Sequence, residues 1–281
     1  MDVIATPEAM VAWSDASHAS GATIGLVPTM GYLHAGHRSL MARLRGEVDR
    51  LVVSIYVNPL QFGAGEDLDT YPRDLEGDLA KCRAEGVDAV FTPSEMYPPG
   101  FASGVSVSGL TMGLCGGSRP GHFDGVTTVC ARLFGLTRCD LACFGEKDFQ
   151  QLMVLRRMVR DLAMPLRIVP GPIVRDADNL ALSSRNAYLS AQDRARGLSL
   201  HRALFAMRDA VAGGETSTEA LLALGHGQLA VDRVDYLEIV DAESLKPVSE
   251  VTAPSRALVA GFVGKTRLID NVGLGPELSW T

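Results

Sequence analysis

His34 and His37 lie three residues apart at the end of the run Val27-Pro28-Thr29-Met30-Gly31-Tyr32-Leu33-His34-Ala35-Gly36-His37. Paired imidazoles can donate hydrogen bonds to charge growing on a phosphate oxygen, and Gly31 and Gly36 would let backbone approach that phosphate. The run joins a strand-like stretch, Ile24 to Val27, to a helix with Leu40, Leu44 and Val48 at four-residue spacing. In an open α/β sheet, ligands bind beyond the carboxyl ends of strands, where a helix N-terminus offers unpaired N–H groups to an anion. Two other readings of an H-x-x-H remain open. The histidines could be ordinary loop residues, or zinc ligands, although a catalytic zinc needs a third protein ligand and none is near in sequence.

Three further clusters fall where a strand hands over to a turn or helix. Asn58-Pro59-Leu60-Gln61-Phe62 offers amides suited to hydroxyls and carboxylates, although Asn-Pro also commonly starts a turn. In Phe144-Gly145-Glu146-Lys147-Asp148-Phe149-Gln150-Gln151, Lys147 can neutralise phosphate, Asp148 can accept from a ribose, and Gln151 is expected one helical turn beyond Lys147 on the same face. Leu182-Ser183-Ser184-Arg185-Asn186 supplies two hydroxyls and a guanidinium. The segment Arg119-Pro120-Gly121-His122-Phe123 either binds an anion or enters a helix. Gly261-Phe262-Val263-Gly264-Lys265-Thr266 is no P-loop, because the spacing requires Gly where Val259 stands, and no G-x-G-x-x-G follows the first strand.

These clusters need a scaffold. Strand-length apolar runs alternate with helical periodicity through Leu51 to Val57, a helix opened by Asp69 or Thr70, Ala89 to Phe91, a helix with Val126, Val129 and Leu133, Asp140 to Phe144, a helix with Leu152, Leu155, Val159 and Leu162, and Leu166 to Val169. Repeated βα units predict a Rossmann-like, mainly parallel sheet over residues 1–176. Beyond it, a helix from Ser190 to Gly213, a second over Thr218 to Ala230, then strands at Val234 to Val240, Ala257 to Val263 and Thr266 to Ile269 predict a smaller α+β domain over 177–281. Its last two strands form a hairpin turning at Gly264-Lys265.

Composition limits the partners. The 281 residues are 47% apolar, and 26 Lys plus Arg against 33 Asp plus Glu leave a net charge of −7, which disfavours broad nucleic-acid binding. No run approaches the roughly 18 apolar residues of a membrane span. The first cationic residue is Arg38, so no secretory or mitochondrial leader is expected and a cytoplasmic protein is the default. The five cysteines, odd in number and without a C-x-x-C pair, read as buried thiols.

Taken in order, PTMGYLHAGH, NPLQFG with EDLDTYPR, RPGHFDGV, FGEKDFQQ, LALSSRN, DYLEIVD and TRLIDN closely resemble the pantoate-β-alanine ligase family, within the HIGH-motif nucleotidyltransferases, over nearly the whole chain. The resemblance implies ATP-dependent condensation of (R)-pantoate with β-alanine through a pantoyl adenylate, releasing AMP and pyrophosphate. It implies catalytic roles for His37, His34 and Lys147. ATP would be held by Met30, Gly31, His34, Gly36 and His37 in the first cluster, by Gly145, Lys147 and Asp148 in the third, and by Val174, Leu182, Ser183, Ser184 and Arg185. Pantoate would be held by Gln61 and Gln151 with Asn58 supporting, and β-alanine by Gln61. No protein metal site is implied, Mg²⁺ arriving with ATP as co-substrate. A homodimer, and a small domain that closes over the site, are further implications. Departures are Ala35 where a carboxylate is usual, Gly135 and Cys139 where Asn and Pro are frequent, and Asn179 where Gly is usual, beside the loop carrying Ser183 and Arg185. The alternatives are another HIGH-type nucleotidyltransferase, disfavoured by the lack of basic residues around Gln61, a metal-dependent hydrolase, and a noncatalytic nucleotide binder.

Overall fold

Strands buried on both faces of a parallel sheet need continuous apolar runs, and Ile24 to Val27 and Leu51 to Val53 supply them, with their large side chains fully buried. In the computed structural model, which describes residues 1–280, they belong to a six-stranded sheet. Its strands are β1 (Asp2–Ile4), β2 (Ile24–Thr29), β3 (Arg50–Ile55), β4 (Ala89–Phe91), β5 (Leu141–Gly145) and β6 (Arg167–Gly171), ordered β1-β4-β3-β2-β5-β6 with parallel neighbours. The order runs outward from β2 through β3 and β4, then resumes on its other side with β5 and β6. The crevice between β2 and β5 is therefore the topological switch point at which such sheets bind ligands. The helices of this half are α1 (Pro7–Ala19), α2 (Ala35–Arg45), α3 (Leu75–Ala84), α5 (His122–Thr137) and most of α6 (Phe149–Asp161); the short α4 (Leu114–Ser118), between α3 and α5 in sequence, belongs to the smaller unit. Leu40, Met41 and Leu44 of α2 and Leu79 and Cys82 of α3 pack with Val27, Val53 and Val90 of the sheet.

Two compact units result. The larger comprises Met1–Thr111, Arg119–Glu146 and Gln151–Pro172; the smaller comprises Met112–Ser118, Lys147–Gln150 and the chain from Ile173 onward. The smaller holds α7 (Ala191–Ala212), α8 (Thr218–His226) and the antiparallel sheet of β7 (Arg233–Asp241), β8 (Ser255–Val263) and β9 (Thr266–Leu274), with β8 central. Leu200, Leu204 and Met207 of α7 and Leu221 of α8 share a core with Leu237, Val259 and Leu268 of the sheet. The β8–β9 hairpin turns at Gly264-Lys265 as expected, Gly264 taking φ +58°, which a two-residue hairpin requires at its first central position. Among the described residues no helix is long and apolar enough to cross a membrane.

The structure moves two boundaries and adds two elements, β1 and α1. α3 starts at Leu75, not at Asp69 or Thr70: Pro72 disfavours helical backbone at Tyr71, and the carboxylate of Asp74 caps the helix by accepting from Gly77 N at 3.0 Å. α8 ends at His226 rather than near Ala230, closed by Gly227 N donating to Ala223 O. β1 and α1 had no periodic signal. Of the residues that α1 buries, Met10, Ser14 and Ser17, two are serines, each hydrogen-bonding a backbone carbonyl, Leu136 and Trp13 respectively.

Candidate active site

Thr29, the last residue of β2, bonds Ser54 O on β3 at 2.8 Å and accepts from Gly31 N at 3.1 Å, which turns the chain sharply out of the sheet. Gly31 sits at φ +84°, and a Cβ there would lie 3.0 Å from Ile55 and 3.1 Å from Asp78, so the turn needs glycine both for its dihedral and for its space. Asp78, 1% exposed on α3, accepts from Tyr32 N and Leu33 N, both at 2.7 Å. It fixes the loop before the histidines, a role not anticipated from sequence. The available signal was a carboxylate next to Leu79 and one helical turn from Cys82, on a face meant to be buried.

His34 is the N-cap of α2, its Nδ1 accepting from Gly36 N at 3.1 Å, while Nδ1 of His37 accepts from His34 N at 3.3 Å. The H-x-x-H spacing is therefore also a reciprocal helix cap, built from two imidazoles whose centroids are 4.1 Å apart. Because both Nδ1 atoms accept from backbone, the neutral rings carry their protons on Nε2, as donors. The first turn of α2 contains no acidic residue. Ala35 thus stands where the resemblance would put a carboxylate, and the carboxylate that meets the loop leading into α2 is that of Asp78, on Tyr32 N and Leu33 N.

The 3-10 turn Pro59–Gln61 follows β3 at the same edge of the sheet. Asn58, 1% exposed, accepts from Tyr97 Oη at 2.8 Å and Leu60 N at 3.3 Å, and donates through Nδ2 to Gln61 Oε1 and to Gly125 O, both at 3.0 Å. Gln61 Nε2 donates to Met30 Sδ at 3.2 Å. Met30, His34, His37, Asn58 and Gln61 thus gather at the carboxyl ends of β2 and β3, with Gly145 closing the neighbouring strand β5. α5 packs backbone to backbone on this turn. A Cβ on Gly125 would lie 2.2 Å from Leu60 O and 2.6 Å from Gln61 N. Gly125→Ala is expected to lower stability by about 2–3 kcal/mol or to push the Gln61 turn away, with at least a tenfold loss of turnover, because neither clashing partner is a side chain that can swing aside. Calorimetry and steady-state rates on one sample check it.

The guanidinium of Arg119 is engaged by a protein carboxylate. Nε and Nη2 grip both oxygens of Glu66, at 2.7 and 2.6 Å. Burial alone would raise the Glu66 pKa, but the Arg119 hydrogen bonds and charge outweigh it and bring the group from 4.5 to about 2. A carboxyl whose pKa is lower in the folded state stabilises that state above its unfolded value and loses this contribution as pH falls through its folded value. Glu66→Gln should therefore unfold at a lower temperature than the parent near neutral pH, with the gap narrowing from about pH 5 to about pH 3; a pH series of thermal melts shows it.

In the smaller unit, Lys147 lies in a 3-10 turn, Glu146–Asp148, ahead of α6. The α-helical spacing expected between Lys147 and Gln151 therefore does not exist, since α6 begins only at Phe149 and Gln151 stands in its first turn. The backbone of Lys147 is anchored, its carbonyl accepting from Asn271 Nδ2 at 2.8 Å, while its ammonium is 3.8 Å from the half-exposed carboxylate of Asp148. Leu182 N donates to Val174 O at 3.0 Å, and Ser183 Oγ accepts from Arg185 N at 3.3 Å, capping the 3-10 turn Ser184–Tyr188. Asn179 takes φ +74°, the left-handed conformation that the family's glycine would supply and that asparagine tolerates. Its carbonyl accepts from Arg175 Nη1 at 3.1 Å, and Arg175 forks onto Asp270.

Among the described residues no group of three or more His, Cys, Asp or Glu could hold a metal ion, so the zinc reading of His34 and His37 finds no third protein ligand there. All five thiols are buried. Burial pushes those of Cys82, Cys139 and Cys143 up to about 12, which removes them as thiolate nucleophiles at neutral pH.

The family described as Pantoate-beta-alanine ligase matches residues 2–273. Pantothenate synthetase of Heliobacterium modesticaldum is 50% identical over 277 residues, 97% of this chain and 99% of its own. The crystal structure of pantothenate synthetase from Thermus thermophilus superposes with a TM-score of 0.92 at 49% identity, covering 97% of this chain and 99% of that one. The pantoate-beta-alanine ligase of Francisella tularensis, complexed with beta-gamma ATP and beta-alanine, gives a TM-score of 0.80 at 30% identity, covering 97% of both chains.

Proposed function

The chain belongs to the pantoate-β-alanine ligase family, and from that premise we propose how its residues divide the ATP-dependent joining of pantoate to β-alanine. The pantoate carboxylate attacks the α-phosphorus of ATP and expels pyrophosphate, giving pantoyl adenylate. The neutral amine of β-alanine then attacks the acyl carbon, AMP departs with the former carboxylate oxygen, and the amine gives up a proton as the amide forms. Phosphoryl transfer leaves little covalent work for protein groups, so the side chains orient reactants and meet developing charge.

His34 and His37 donate from Nε2 to phosphate oxygens, with His37 the principal stabiliser of the charge that grows during attack. Met30, Gly31 and Gly36 bring the surrounding loop against the nucleotide. Lys147, Ser183, Ser184 and Arg185 neutralise and bind phosphate oxygens, Asp148 accepts from the ribose, and Gly145, Val174 and Leu182 border the nucleotide. Gln61 and Gln151 hold pantoate through its hydroxyls and carboxylate, and Gln61 also receives β-alanine. Asn58, saturated by protein partners, acts on pantoate through Gln61. Mg²⁺ enters with the ATP phosphates: a hard cation that keeps several of its waters needs substrate oxygens rather than a protein cage. The ATP and β-alanine named for the Francisella relative support these ligands here. Residues 1–176 act as the nucleotide and pantoate domain and 177–281 as the smaller second domain.

The observation that supports the reading is the reciprocal imidazole cap at the N-terminus of α2, which engages both Nδ1 atoms and so puts the protons of the neutral rings on Nε2. Oxygen transfer tests it. With pantoate labelled in both carboxylate oxygens by ¹⁸O, AMP should carry one labelled oxygen and pyrophosphate none; label in pyrophosphate would contradict attack at the α-phosphorus. We further assign the enzyme to the cytoplasm, consistent with its five unbridged buried thiols, and to a homodimer, as family resemblance implies, which light scattering checks.

A further inference from the structure

Gln61 is held through its main chain as well as through its side chain, by two residues to which the reaction above gives no part. Nη2 of Arg119, already on Glu66, also donates to Gln61 O at 3.3 Å, and Nη1 reaches His122 Nε2 at 2.9 Å. Nδ1 of His122 lies 2.7 Å from the same Gln61 carbonyl. An arginine can only donate, so Nε2 of His122 accepts and the ring proton resides on Nδ1, where it donates to Gln61 O. One carbonyl thus receives two donors, and the ion pair with Glu66 holds Arg119 in place. Gly125, one turn along the same helix as His122, abuts the Leu60 carbonyl and the Gln61 amide, so α5 meets this turn through its own backbone as well as through His122.

We propose that Arg119 and His122 are positioning residues that set the Gln61 side chain for its carboxylic acid substrates by fixing the Gln61 carbonyl. This rests on the assignment of Gln61 to pantoate and β-alanine. The carbonyl and the side chain share one Cα, so release of the carbonyl would let that Cα shift and carry the side-chain amide away from Asn58 Nδ2 and Met30 Sδ, and displacement of about 1 Å at a substrate contact costs up to about a hundredfold. Lysine cannot replace Arg119: a single ammonium cannot serve Glu66, His122 and Gln61 O at once. Asparagine at position 122 can place an amide N–H where His122 Nδ1 stands, whereas alanine cannot.

The test is steady-state kinetics on R119K, H122A, H122N, Q61A and the double variant R119K/Q61A, with melting temperatures measured in parallel. Expected are KM values for pantoate raised about tenfold in R119K and H122A, partial recovery in H122N, and an ATP KM within about twofold of the parent. R119K should add little in the Q61A background, because the group it positions has already gone. Unchanged pantoate and β-alanine KM in both R119K and H122A, with Q61A impaired, would overturn the brace and leave the Gln61 assignment standing. An ATP KM rising in step with that of pantoate would also overturn it, as a general structural effect. If Q61A itself leaves both acid KM values unchanged, the Gln61 assignment is what fails. Should H122A melt before assay, R119K and H122N carry the same comparison.

Discussion

His37→Ala is expected to lower turnover by about a hundredfold or more, as removal of a donor to developing transition-state charge would. The substitution also deletes the acceptor for His34 N, one half of the α2 cap, which costs about 1 kcal/mol of stability. In a chain of this size that lowers the melting temperature by only about 2–4 °C. The two losses separate in His37→Asn, whose side-chain oxygen can accept from His34 N while supplying no Nε2 donor. Melting should return towards the parent in that variant while turnover stays low. Recovery of turnover along with the melting temperature would mean that His37 acts only as a cap. Rapid-quench measurement of pyrophosphate release assigns the loss to adenylation.

Lys147→Ala is expected to match that loss of about a hundredfold by a different route. Its side chain is 17% exposed, and under the proposed role removing its charge would leave phosphate unneutralised. The backbone anchor from Asn271 does not depend on the side chain, so the fold should be retained. Lys147→Arg keeps the charge on a larger, planar group and should recover part of the rate. Wild-type turnover in Lys147→Ala, with ATP saturating, would remove this residue from the chemistry.

The parts of the site that were legible in the sequence are local. An apolar strand, a glycine turn and a helix with Leu40 and Leu44 at four-residue spacing place His34 and His37 at a helix N-terminus without any knowledge of their neighbours. The double use of those rings as a cap was hidden, because H-x-x-H does not look like the usual Ser/Thr-x-x-Glu pattern. Asp78 bonds the loop from more than 40 residues away in sequence, and no local spacing announces such a pairing. The need for glycine at position 125 lies in the backbone of Leu60 and Gln61, which meets it only in the fold. α1 shows no apolar periodicity because its buried face includes Ser14 and Ser17, and Lys147 stands in a 3-10 turn that no local spacing separates from the start of α6. The parallel order of the sheet followed from the alternation of strands and helices, whereas β1, three residues long, required β4 to be seen at all.

The measurement that goes to the centre of the assignment is the stoichiometry of products from Mg-ATP incubated with pantoate alone, with β-alanine alone and with both, following AMP, pyrophosphate and pantothenate. AMP, pyrophosphate and pantothenate in equal amounts when both acids are present, with no sustained AMP release when either is missing, is the expected result. ADP and phosphate as products, or sustained AMP release without pantothenate, would contradict ligation through an adenylate.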